Sequence, residues 1–312
     1  MHTTNNNARE RPRPRPRSRW PSRRGSVAEQ LAALAARLTD RDRAIVREHR
    51  VFTTRQLAEA WFDSVDRAEH RLRELADARV LLRFRPQTRH GEGSAPYHYV
   101  VGPLGAAVLA AERGVDVRRL GYRADKALEV AHSQRLAHVV GVNGFFTALA
   151  ASARQGRSQA ARAATLTAWW SERACARRWG RIVRPDGYGR WRQGDAEVDF
   201  FLEYDRGTEP LDRLAAKLHA YSELADATEI PTPVLFWLPT SGREVSVHQA
   251  LAGAGRWGRL RFLVATASPA LGLGPAEAAW LPLGHTWPRR RLVELANIER
   301  GTGEAPPSPA RS

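Results

Sequence analysis

FFLEYDRGTEP, residues 200–210, decides the fold of this chain. Successive strand side chains point to opposite faces, so Asp199, Phe201, Glu203 and Asp205 share one face while Phe200, Leu202 and Tyr204 share the other. One face is core and the other turns acidic at its end. The Asp205–Arg206–Gly207 step then leaves the strand. Thr208 as N-cap, with Glu209 in the first turn, opens a helix over Pro210–Ala225. Working outward, Ile182–Trp191 and Glu197–Asp205 read as two strands around the turn at Gln193–Gly194–Asp195, with Thr165–Trp170 a short strand before them. Pro233–Leu238 reads as a buried strand and Leu260–Ala265 as a last strand, with a short helix over Val247–Ala254 between them. A long Ala/Val/Leu helix, Asp125–Ala153, leads in. This order predicts a mixed α/β sheet flanked by helices. His132 and His138 lie on the long helix without metal-ligand spacing and read as core or surface residues.

Upstream, residues 26–113 have a different grammar. Ala28–Leu38 is an Ala/Leu helix, and Asp40 opens another. Thr53 and Gln56 have capping-box spacing, and Phe52 with Leu57 occupies the hydrophobic-staple positions. A further helix carries Val65, Ala68, Leu72 and Leu75 as one apolar stripe. At 100° per residue Arg67, His70 and Arg73 fall opposite that stripe, with Arg71 at its edge. Next, Leu82 and Phe84 alternate with Arg83 and Arg85, and a Gly-containing loop from Arg89 leads into Tyr97–Val100, a hairpin signal. Capped helix, basic helix, basic hairpin is the order of a winged helix-turn-helix. Arg67, His70, Arg71 and Arg73 are the expected contacts to double-stranded DNA from the helix, and Arg83, Arg85 and Arg89 from the wing. Winged helices also serve as protein-interaction modules, the other use this order permits.

The whole chain is consistent with a polyanionic partner. It has 49 Lys and Arg against 33 Asp and Glu, a net +16, of which +7 lies in residues 1–25 and +9 in the rest. Only Lys126 and Lys217 are lysines, so the excess reflects an Arg-rich, Ala-rich composition as well as phosphate binding. RPRPRPR within residues 1–25 forbids helix and ladder, giving either a basic arm on DNA or a solvated tail. The expected organisation is an arm at 1–25, the winged helix-turn-helix at 26–120, the α/β domain at 121–290, and a short helix with a disordered tail at 291–312. The arginine-rich start has no apolar core of a signal peptide, and no run is read as spanning a bilayer, so a cytoplasmic location without membrane contact is expected. The single Cys175 excludes a disulfide framework or a thiolate-rich metal site. No phosphate-binding GxxxxGK[ST] loop or dinucleotide fingerprint is present, so no nucleotide cofactor is expected.

Chemistry concentrates around the acidic strand end. Pro185–Asp186–Gly187 puts a carboxylate on the strand neighbouring Glu203 and Asp205. Three converging carboxylates take Mg²⁺ through hard oxygens, and the metal polarises a phosphodiester and activates water. Asp186, Glu203 and Asp205 are thus candidate metal ligands and catalytic groups. Lys217, which leans from the next helix toward the sheet, is their electrophilic helper. Carboxylates this close also predict a raised pKa in at least one. The ordinary alternative is two turns, at Asp186–Gly187 and at Asp205–Arg206–Gly207. Pro185–Asp186 followed by Glu203–Tyr204–Asp205 resembles the PD-(D/E)xK nuclease pattern. More closely, RPDG (184–187), FFLEYDRGTEP (200–210) and KLHAY (217–221), after an N-terminal winged helix, resemble the replication-relaxation family of actinobacterial plasmids and mobile elements over roughly residues 38–268. The resemblance implies a winged helix followed by a PD-(D/E)xK-like domain. It also implies action on DNA in replication or mobilisation, by Mg²⁺-dependent nicking and beside a replication initiator or relaxase. Asp205 stands where the nuclease triplet has Lys. Either Lys217 takes over that role, or the fold binds DNA without cutting it, as a regulator or replication accessory factor.

Overall fold

The computed structural model describes residues 27–46, 51–86, 94–156, 163–254, 260–285 and 288–298. The arm at 1–25, the loop containing Arg89 and the tail at 301–312 lie outside them.

The first unit begins with helices α1 (Val27–Ala35) and α2 (Asp40–Val46), then strand β1 (Phe52–Thr53), helix α3 (Thr54–Trp61) and helix α4 (Val65–Asp77). Strands β2 (Leu81–Phe84) and β3 (His98–Val101) and helix α5 (Pro103–Glu112) complete it. The three strands form an antiparallel sheet in the order β1-β3-β2. The capping box is present: Thr53 accepts from the Gln56 amide while the Gln56 side chain accepts from the Thr53 amide. Phe52, Leu57, Phe62, Ala68, Leu72, Leu75 and Leu81 bury together. Val65, expected in the same stripe, is half exposed at 50% because it occupies the first turn of α4.

Where one helix is expected over 125–153, the chain forms α6 (Ala124–Glu129), a single 3₁₀ turn, and then α7 (Leu136–Gly156). Ser133 causes the break. Its backbone is extended, and its hydroxyl accepts from the Arg135 amide, the kind of local bond with which serine competes against a continuing helix. Leu136–Gln155 of α7 is the one described helix long and apolar enough to cross a membrane. This corrects the expectation of no such run, because small residues dilute its apolar character without making it polar. Here it is a core layer, with Val142, Phe145, Phe146 and Leu149 buried.

The second sheet contains β4 (Ala164–Ser171), β5 (Gly187–Gln193), β6 (Ala196–Tyr204), β7 (Val234–Trp237), β8 (Val264–Ala267) and β9 (Leu281–Pro282), in that order across the sheet. β4, β5 and β6 are antiparallel neighbours, β6, β7 and β8 are parallel, and β9 returns antiparallel. Parallel strands need both faces covered. Phe200, Leu202 and Leu235 pack under α7, while Phe201, Val234 and Phe236 pack under α9 (Leu211–Thr228) and α10 (Ser241–Gly253). The alternation read from residues 199–205 therefore holds, but both faces are core. Helix α8 (Glu172–Trp179) was not anticipated; its N-cap Ser171 accepts from the Ala174 amide. β5 starts at Gly187, five residues after its expected start, because residues 180–183 fold back on the end of α8 through amide bonds to Ala176 and Trp179. The α9 N-cap is Pro210, not Thr208.

The two sheets share a tight junction. The Gln56 side-chain amide donates to the Val140 carbonyl at 2.6 Å, Asn143 donates to the Val51 carbonyl at 2.5 Å, and Arg154 donates to the carbonyls of Phe62 and Glu59. An aromatic column runs through it. Trp61 stacks on Trp169, Trp169 on Phe146, and Phe146 on Phe200.

Candidate functional site

Two sites follow from the sequence, one basic and one acidic. The basic one starts at Ser64, which caps α4 by accepting from the Arg67 amide. Ala68, Leu72 and Leu75 face inward, leaving Arg67, His70 and Arg73 exposed. Arg67 meets Asp63 at 3.3 Å and His70 meets Glu74 at 3.4 Å, both pairs open to water on at least one side. Exposed pairs of this kind contribute little and open readily. Arg71 is placed differently. Its guanidinium reaches fully buried Asp42 at 2.5 Å, Glu74 at 2.9 Å and the Arg37 carbonyl. The Asp42 bond, against the opposing effect of burial, holds its pKa above the usual arginine value. Arg71 is thus a strut between α2 and α4. Arg83 on β2 and Arg85 just after it are exposed, and both lie over the Tyr97 ring, at 4.8 and 3.9 Å. Arg85 also donates to Ser94 at 3.0 Å.

The acidic site lies at the ends of β5 and β6, under α9. Glu203 is 3% exposed, and both its oxygens are engaged: Lys217 Nζ donates at 2.8 Å and the Tyr221 hydroxyl at 2.5 Å. Lys217 also donates to Glu209 at 3.0 Å. Burial, with the nearby charge of Asp186, pushes the Glu203 carboxyl up to about 7 despite these donors. Burial opposes the Lys217 ammonium, but Glu203 and Glu209 outweigh it and raise its pKa further. Burial and Glu203 push Tyr221 well above its ordinary value, so it stays a donor. Asp186 sits just before β5; one oxygen meets His138 Nε2 at 2.8 Å and the other accepts from the Tyr204 amide at 2.8 Å. Burial disfavours the charged imidazole, yet the Asp186 carboxylate wins and raises His138. Asp205 is buried and turned elsewhere. It accepts from Arg243 Nε at 2.6 Å and from the Gly207 amide at 2.9 Å, closing the strand-to-helix turn and tying it to α10.

The four expected residues therefore divide. Glu203 and Lys217 touch, Asp186 lies within electrostatic reach of both, and Asp205 belongs to the turn. Among the described residues no three His, Cys, Asp or Glu side chains group closely enough to hold a metal ion. Asp186 and Glu203 have the hard oxygens that suit Mg²⁺, which an ion would reach by displacing donors that those oxygens now engage. Asp205 does not fit, because it lies past the end of β6 with its oxygens turned to Arg243 and the Gly207 amide, away from the other two carboxylates. Four residues were not read as part of the site from the sequence: His138, Glu209, Tyr221 and Arg243. Tyr221 was legible in principle, since it lies four residues after Lys217 on one helix face. Arg243 gives no signal, being 38 residues from Asp205.

A family model described as replication-relaxation matches residues 44–235, from α2 into β7. No curated protein and no solved structure matches the chain.

Proposed function

Since the chain belongs to the replication-relaxation family, we propose that it binds duplex DNA in the replication or mobilisation of a plasmid or other mobile element. Its place of action would be the cytoplasm, beside a replication initiator or relaxase. Support comes from the first unit, where the order α2-β1-α3-α4-β2-β3 and the sheet β1-β3-β2 resemble a winged helix-turn-helix. In that geometry α4 enters the major groove and the β2–β3 hairpin lies along the backbone. The observation that carries the reading is the exposure of Arg67, His70 and Arg73 on one helix face, with Arg83 and Arg85 on the hairpin.

Replacing Arg67 and Arg73 together with Ala is expected to weaken duplex binding across sequences and to flatten its salt dependence by about 1.8, near 0.9 per lost phosphate contact. Filter binding or anisotropy at several salt concentrations measures this. An unchanged slope would remove α4 from the interface.

A second reading, Mg²⁺-dependent nicking, rests on a specific contact. Lys217 reaches Glu203 from α9, supplying from the helix the lysine that the strand lacks. The order α7-β4-α8-β5-β6-α9-β7, with α8 set between the first two strands, also resembles the PD-(D/E)xK core. Asp186 and Glu203 would hold the ion, which would supply Lewis-acid polarisation of the phosphodiester. Lys217 would balance charge on the phosphate, and His138 would fix the Asp186 carboxylate. Supercoiled plasmid should become open-circular with Mg²⁺ or Mn²⁺ for the unaltered protein and not for Asp186→Asn. If no metal produces open circles, the acidic site is structural and the DNA-binding reading stands alone.

A further inference from the structure

We propose that the outer face of α8 is a second polynucleotide site, one that takes single-stranded DNA. It extends the DNA-binding reading but stands on different residues. Four tryptophans lie near the antiparallel strands, and the structure separates them. Trp191 is 1% exposed, and Trp169 is locked in the aromatic column. Trp170, the neighbour of Trp169 in β4, points to the opposite face and stacks on Trp179 at the end of α8, with ring centroids 5.5 Å apart and planes 25° apart. Tyr188 flanks both, at 4.8 and 5.6 Å. Trp170 and Trp179 are only partly buried.

Arg178 lies over both indoles, at 5.7 and 5.8 Å. Trp170, Ala174, Arg177 and Arg178 line an open cavity of about 530 Å³, within the usual range for bound ligands. Arg173, Arg181 and Arg184 are exposed on the same helix and the turn after it. The single acid between residues 172 and 184 is Glu172, and Arg135 neutralises it at 2.7 Å. The face is therefore strongly basic, with aromatic rings set among guanidinium groups.

That combination selects for unpaired bases. An Arg track follows phosphates of any nucleic acid, but a partly buried indole lining a cavity, as Trp170 does, gains from a ligand only if a base can leave its neighbours and stack. Duplex bases are already stacked. The first unit and this face then take two forms of the same polymer, as required where a duplex opens.

The test uses the full chain and a labelled oligothymidylate of about 20 nucleotides, long enough to cover a binding groove. The unaltered protein should bind it, and should bind an abasic strand of equal length at least about fivefold more weakly. Arg178→Ala with Arg181→Ala should weaken oligothymidylate binding and flatten its salt slope by about 1.4, near 0.7 per contact on single strands, while duplex binding persists. The Arg67→Ala, Arg73→Ala protein should show the reverse. Absence of oligothymidylate binding, equal affinity for the abasic strand, or a loss caused equally by the α4 pair would each overturn the proposal. Both Arg variants alter exposed side chains, so folding is not at stake, and a failure at α4 alone would leave the α8 result readable.

Discussion

Lys217→Met is expected to lower the melting temperature, and to do so far more at about pH 8 than at about pH 5. Glu203 is buried, and its folded pKa of about 7 lies above the ordinary 4.5. The folded state therefore holds a proton that the unfolded chain releases, so this group makes stability fall as pH rises from about 4.5 to about 7. Lys217 acts in a different pH window. Its pKa is raised by Glu203 and Glu209, so its contribution is complete throughout the neutral range and is lost only as pH climbs through that raised value. At about pH 5 Glu203 is neutral in the fold, and removing the ammonium should cost about 1 kcal/mol, a lost hydrogen bond. At about pH 8 Glu203 would either stay charged without its cation or take up a proton that the unfolded chain does not hold, which costs up to about 3 kcal/mol, or as much as roughly 6–12 °C for a chain of this size. Thermal melts at the two pH values decide it. An equal loss at both would mean that Glu203 is not the partner whose charge Lys217 compensates.

Phe146→Ala should cost about 4 kcal/mol, and both units should melt earlier in one transition. Phe146 is fully buried, and truncating a buried phenylalanine loses transfer energy and leaves a cavity. Its position makes the effect general. It stacks on Trp169, itself stacked on Trp61 of the first unit, and on Phe200 of the second sheet. The column is a shared core, so a hole in its middle weakens both sides. Calorimetry showing one unit unmoved, or two resolved transitions in the unaltered protein, would contradict a shared core.

Local signals were legible because their partners are near in sequence. Thr53 and Gln56 are three residues apart, and the faces of β6 follow from alternation alone. The lean of Lys217 toward the sheet followed from its angle on α9. What failed to show needed a distant partner. Arg71 reads as a surface arginine until Asp42, 29 residues away, is seen buried beneath it. His138 reads as an ordinary helix residue until Asp186, 48 residues on, meets it. Asp205 shares a face with Glu203 by parity, but the strand stops at Tyr204, so parity no longer governs where its carboxylate goes. Gly141 looks like a weak point in α7. A Cβ there would overlap the Tyr204 ring, so glycine lets the helix settle against β6 beside the acidic site.

Gln56 has a consequence beyond stability. One end of its side chain completes the cap of α3, and the other holds α7 through Val140. Helix α3, which packs against the proposed duplex-binding helix α4, is thus started by the same residue that fastens α7 of the second unit. With no slack tether between the two proposed DNA-binding faces, engaging the second would cost no chain entropy of a linker and gain nothing from reach. On those proposals the molecule would act as a gauge of fixed span. Only DNA whose own path bridges that span would occupy both faces, so the gauge would select for bend and opening in the DNA as much as for its bases.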